Sequence, residues 1–120
     1  MACIEIDAVG NKHVYGANGN LIYLKRATDE YEEWYEYDTN GKLSHIVGSD
    51  GYEAWFKYNA NGEEIHWWDS TGFECRYEYA SNGNIIHWWN SEGNEAWFGP
   101  DGNRITKEEF EKLKLYSKYD

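Results

Sequence analysis

Along most of the chain apolar and polar residues alternate with period two, and the alternation stops about every ten residues at a turn signal. The stretch "YEEWYEYDTNGKLSHIVGSDGYEAWFKYNANGEEIHWWDS", from Tyr31 to Ser70, shows the rhythm. Two signals take turns: Asn40-Gly41, Asn61-Gly62 and Asn82-Gly83, then Ser-x-Gly ending at Gly51, Gly72 and Gly93. The segments between them predict strands of about seven residues, and turns this short make successive strands antiparallel neighbours. Asn-Gly predicts a type I′ hairpin turn, in which both central residues take positive φ.

The pattern repeats. A period of 21 residues runs without gaps from about residue 31 to about residue 98. It aligns Glu32, Glu53, Glu74 and Glu95, then Tyr37, Tyr58 and Tyr79, then His45, His66 and His87. "IHWW" occurs at Ile65 and again at Ile86 because it is the same strand of the same hairpin, laid down twice. "VYGANGNLIYL" is an earlier copy one residue out of phase, and "GPDGNRI" a short final one. The expected fold is therefore mainly β: repeated hairpins forming an antiparallel meander or curled sheet of eight to ten strands. One domain spans residues 1–120, with N-terminal strands in 1–19, hairpin repeats in 20–103 and a helix and tail in 104–120.

That helix is expected over about Lys107 to Lys118. Thr106 and Glu109 form a capping box, and Phe110, Leu113 and Tyr116 or Ser117 fall along one side. Alternation sorts the strand residues into two faces. The first collects Tyr35, Tyr37, Phe56, Tyr58, Trp67, Tyr77, Tyr79, Ile86, Trp88 and Phe98. The second collects the glutamates and histidines with Trp34, Val47, Trp55, Trp68, Arg76, Trp89 and Trp97. The helix is expected on the first, more apolar face. A helix about 10 Å across covers only two or three strands spaced ~4.8 Å apart. The remaining aromatic surface then calls for a curled sheet or a twofold partner, and a homodimer is the expectation.

The motif "YEYDTNGKL" (Tyr35 to Leu43), with "FKYNANGEE" and "YEYASNGNI" as looser copies, resembles the YD repeats of bacterial Rhs and teneurin-type proteins. "WYEYDTNG" and "WFKYNANG" are also similar to the aromatic hairpin repeats of bacterial cell-wall-binding modules. Both resemblances imply stacked β-hairpins arranged as a spiralling sheet or solenoid. Neither implies catalysis.

Charge narrows the choice of partner. The net charge is -11, and Asp29 to Glu78 holds 13 acidic residues against Lys42, Lys57 and Arg76, a local balance of -10. Without a basic stripe to displace counterions, direct nucleic-acid binding is disfavoured; a basic protein suits the surface better. The start "MACIEIDAVGNKHVYG" lacks the basic and apolar regions of a signal peptide, and no run is long enough to span a membrane. A cytoplasmic location is expected. Cys3 and Cys75 accord with it, and Cys75 fills a slot held by Ala54 and Ala96, so a small buried thiol is expected there.

Catalytic and metal readings fare poorly. Histidines in successive hairpins stand two strands, ~9.6 Å, apart, whereas zinc needs nitrogens within ~2.1 Å. Adjacent pairs such as Glu32/Glu33 and Glu63/Glu64 point to opposite faces and are no acid/base pair. No nucleophile triad, phosphate loop or Cys-x-x-Cys is present. No enzyme activity, cofactor or metal is expected.

The expected function is that of an acidic inhibitor that blocks a basic nucleic-acid-handling enzyme such as a nuclease. It would be of the anti-CRISPR or toxin-immunity kind, by nucleic-acid mimicry, and phage-encoded for action in a bacterial host. The expected contact residues are Glu32, Trp34, Glu36, Glu53, Trp55, His66, Trp68, Glu74, Glu78, His87, Trp89 and Glu95. The alternative is a carbohydrate-binding module that stacks sugars on the tryptophans.

Overall fold

The computed structural model describes residues 3–116 and 118–119; Met1, Ala2, Ser117 and Asp120, and with them the expected placement of Ser117 on the helix, lie outside. The described residues form eleven strands and one helix: β1 (Cys3–Ile6), β2 (Lys12–Tyr15), β3 (Leu21–Lys25), β4 (Glu32–Tyr37), β5 (Leu43–Gly48), β6 (Glu53–Tyr58), β7 (Glu64–Asp69), β8 (Glu74–Tyr79), β9 (Ile85–Asn90), β10 (Glu95–Phe98), β11 (Arg104–Ile105) and α1 (Lys107–Leu115). The sheet order is β1 through β11 in sequence order, a meander without crossovers. Eight to ten strands were expected, with N-terminal strands among them; the two-residue β11 is too short for periodicity to mark.

By internal contacts the chain divides into two compact units, Met1–Phe56 with Asp69–Thr71, and Lys57–Trp68 with Gly72–Asp120. In the first unit Tyr35 stands opposite Ile46, and Ile46 opposite Ala54. In the second, Trp67 stands opposite Cys75, Tyr77 opposite Trp88, and Trp88 opposite Ala96. Small residues face large ones because a sheet face has a fixed distance between neighbouring strands, and two large rings cannot both lie flat across it. Ala54, Cys75 and Ala96 are accordingly buried, and Cys75 is a free thiol in the slot expected of it. On the same face, burial pushes the Tyr35 and Tyr77 hydroxyls up to about 12.

The turns fall where the glycines predicted them, but their geometry differs from the expected type I′. At the first Asn-Gly, the Gly41 N–H donates to the Asp38 carbonyl (3.0 Å) and the Asp38 N–H to the Lys42 carbonyl (2.8 Å). Gly41 has φ 82°, whereas Asn40 does not have positive φ. This is a three-residue loop, a type I turn closed by a left-handed glycine, which also matches strand twist. The Asp38 carboxylate supports this turn by accepting from the Asn40 and Lys42 N–H groups, both at 2.9 Å, but it does not decide the geometry: Ala80, Asn84 and Gly83 close the same loop without it.

The serine column ties together the two open ends of each hairpin. Ser49 Oγ accepts from the Glu32 N–H at 2.9 Å and the Ser49 N–H donates to the Glu32 carbonyl at 2.8 Å. Ser70 does the same with Glu53, and Ser91 with Glu74. Each serine thus satisfies the backbone at the start of the strand that opens its hairpin, 17 residues earlier. The recurrence of Ser-x-Gly has this physical cause.

The helix ends at Leu115, and its capping box between Thr106 and Glu109 is formed as expected. Its position is a correction. Phe110 packs with Ile86, Tyr119, Trp97 and Ile105, and its ring meets His87 at 5.4 Å, so α1 covers the second face rather than the first. Two features build an apolar patch there. The register between β8 and β9 pairs Glu78 with His87 and Tyr79 with Ile85, which leaves Ile86 as an extra, bulged residue. Such a bulge re-aims a side chain, and Ile86, expected on the first face, packs under the helix instead. Ile105 of β11 then lies opposite Trp97 and adds to the patch.

Candidate functional site

The cross-strand register places two histidines of the column, His45 and His87, between glutamates. In the first unit, Glu36 pairs with His45 and His45 with Trp55. His45 Nδ1 meets Glu36 Oε1 at 2.6 Å, and its Nε2 meets Glu53 Oε2 at 2.9 Å. The imidazole lies parallel to the Trp55 ring, 5.3 Å between centroids and 11° between planes. Partial burial works to lower the His45 pKa, but the hydrogen bonds and charges of Glu36 and Glu53 outweigh it and hold it above its ordinary value.

The second unit holds the other two histidines of the column. His87 Nδ1 meets Glu78 Oε1 at 3.0 Å and its Nε2 meets Glu95 Oε2 at 2.7 Å. Trp97 stacks on it at 5.4 Å and 12°, and Trp89 at 4.4 Å and 25°. His66 departs from the pattern. Its Nε2 meets Glu74 Oε1 at 3.0 Å, but Lys57 occupies the place that Glu36 and Glu78 hold in the other copies. Trp68 stacks on His66 at 4.4 Å, with the Lys57 ammonium 5.7 Å from the Trp68 ring centre. Arg76 Nη2 lies 3.0 Å from Glu74, and the hydrogen bond from His66, with Arg76 adding to it, holds the Glu74 carboxyl below its usual range.

Within its own unit, every residue expected at the contact surface lies on the strand face that carries the histidines, but not in equivalent surroundings. Glu32 accepts a short hydrogen bond from the Tyr23 hydroxyl. Trp34 packs obliquely on Tyr23 and keeps 41% of its surface open. Glu78 and His87, by contrast, lie under α1. Lys114 Nζ reaches Glu78 Oε2 at 3.1 Å, and Phe110 covers the His87 ring. Burial works to raise the Glu78 pKa, yet hydrogen bonds from His87 and Lys114 carry it below its usual range.

Phe110, Lys114 and His45 were absent from the expected contact set. The Glu-x8-His-x7-Glu spacing, read as cross-strand neighbours, would have pointed to His45. No local signal points to the helix contacts. Among the described residues no group of three or more histidine, cysteine or acidic side chains is arranged to hold a metal ion, and no helix is long and apolar enough to cross a membrane. Comparison of the sequence with protein-family models finds no match, and comparison with curated proteins finds none either.

Proposed function

We propose that the chain is a binding module whose glutamate, histidine and tryptophan face engages a cationic protein. Where this face is covered, its cover is a helix that brings Lys114 to Glu78 and Phe110 to His87. That contact carries the reading, because it displays the charge and ring chemistry that the face accepts. The partner we propose is a basic nucleic-acid-handling enzyme, which the module would inhibit in the manner of an anti-defence or immunity protein. The excess of acid from Asp29 to Glu78 supports a field that steers such a partner. Sugar stacking is the weaker alternative, since Trp55, Trp68 and Trp89 each already have a histidine stacked on the ring.

The test is capture of the partner on the immobilised chain, then competition with a duplex oligonucleotide. The expected result is mutual exclusion, with association slowed by salt and by Glu53→Lys with Glu74→Lys. Simultaneous binding, with an association rate indifferent to salt and to charge reversal, would refute the proposal.

A further inference from the structure

The Glu–His–Glu bridge at His45 and the one at His87 match to within a few tenths of an ångström. Each histidine is bridged by two glutamates, with Nδ1 contacts of 2.6 and 3.0 Å and Nε2 contacts of 2.9 and 2.7 Å. Each stacks on a tryptophan at 5.3 or 5.4 Å, with interplanar angles of 11° and 12°. The copy around His87 carries α1. The copy around His45 carries no helix of its own, and its acid is correspondingly open: the Glu36 side chain is 69% exposed, against 37% for Glu78 under the helix. Among the described residues Glu36 forms its ion pair with His45, whereas Glu78 has Lys114 as well.

We infer that Glu36, His45, Glu53 and Trp55 form a second seat for an amphipathic helix, supplied by a partner that presents an aromatic residue and, four positions later, a lysine or arginine. The inference rests on the binding face proposed above and specifies the chemistry of its occupant. The spacing is that of Phe110 and Lys114, neighbours on one side of a helix. Their own geometry places the Lys114 ammonium 5.4 Å from the centre of the Phe110 ring. An incoming helix of this kind would set its ring on His45 and its cation on Glu36. The seats differ in their surroundings: Val47 stands where Trp89 stacks on His87, and Asp38 where Ala80 packs against the helix cluster. The bulged residue is Ile86 beneath α1 but Ser44 beside His45, so the second seat is shallower and more polar. It offers less apolar area, as suits a reversible partner rather than a built-in helix.

The probe is a labelled peptide with the sequence of residues 105–119, titrated into the full chain and followed by fluorescence anisotropy. Saturable binding is expected. Glu36→Lys in the chain should weaken it at least about tenfold, as should Phe→Ala or Lys→Glu at the two contact positions of the peptide. Ser44→Ile should strengthen it about fivefold by restoring the apolar floor. Glu36 is largely exposed, so its variant should keep the wild-type circular dichroism, with a melting temperature lowered only by the loss of the His45 bridge.

Absence of saturable binding up to about 1 mM, or binding unmoved by Glu36→Lys, would overturn the seat. A peptide of the same composition in scrambled order separates the two proposals. If it binds as tightly and with the same salt dependence, the helix seat falls while the acidic face stands. If the chain itself dimerises and Phe110→Ala abolishes the dimer, the occupant is a second copy and the assignment to a foreign helix is overturned.

Discussion

Phe110→Ala removes the ring through which α1 is held to the sheet. Phe110 is 5% exposed and packs with Ile86, Tyr119, Trp97, Ile105 and Leu113. Its ring also meets His87 at 5.4 Å and Tyr119 at 5.6 Å. Truncating a buried phenylalanine to alanine costs about 3–5 kcal/mol in a closed core. The site here is one layer of helix on one layer of sheet and can partly collapse, so about 3 kcal/mol is the reasonable magnitude. The helix has nine residues, too few to persist alone in water even with a capping box. The loss should therefore appear as local release of α1, with β1 to β9 keeping their ladders.

Hydrogen exchange resolved by residue is the assay. Amides from Phe110 to Tyr116 should lose protection by about two orders of magnitude, in line with 3 kcal/mol, while those of β4, β5 and β8 remain unchanged. Trp97 fluorescence should shift to the red as its cover leaves. Undiminished protection in the helix would refute the reasoning about packing. Equal loss in the helix and in β4 would refute local release and make the helix part of one cooperative unit.

Stability should also depend on pH with a maximum between the ordinary pKa values of glutamate and histidine. The His45 pKa is raised from 6.5, so its contribution is complete below that value and fades as pH rises through the folded value; Glu74 and Glu78 are lowered from 4.5, so theirs is complete above that value and fades as pH falls through theirs. A melting temperature that peaks between about pH 4.5 and 6.5 is expected, and one still rising at pH 8 would contradict it. Ser91→Ala removes the acceptor of the Glu74 N–H and should cost about 1 kcal/mol in urea denaturation, whereas no change would show that water replaces the hydroxyl without loss. Gly62→Ala forces a side chain into φ 83° and should cost about 1–2 kcal/mol with the fold retained; a neutral result would mean that the turn has another accessible geometry. Glu36→Lys with Glu53→Lys should slow association with a cationic partner and flatten its salt dependence, as read by stopped-flow mixing.

Strand positions, the 21-residue repeat, the turn sites and the helix with its capping box were all legible in the order of residues. These are local matters: a period of two sets which side chains share a face, and a glycine marks where φ must be positive. The same alternation put the glutamates, histidines and second-face tryptophans together. What it could not supply was register. The Asn-Gly loops closed with three residues rather than the expected two, and a separate bulge in the β8–β9 ladder moved Ile86 across the sheet. With Ile86 went the helix, onto the face that carries His87 and Glu78, because a helix follows the apolar floor available to it. The Glu–His–Glu bridges depend on the same register, since residues eight and nine positions apart become neighbours only once the strands are aligned. Local chemistry thus determined the elements, and pairing between strands, which no single strand encodes, decided which surface was covered and which was left open.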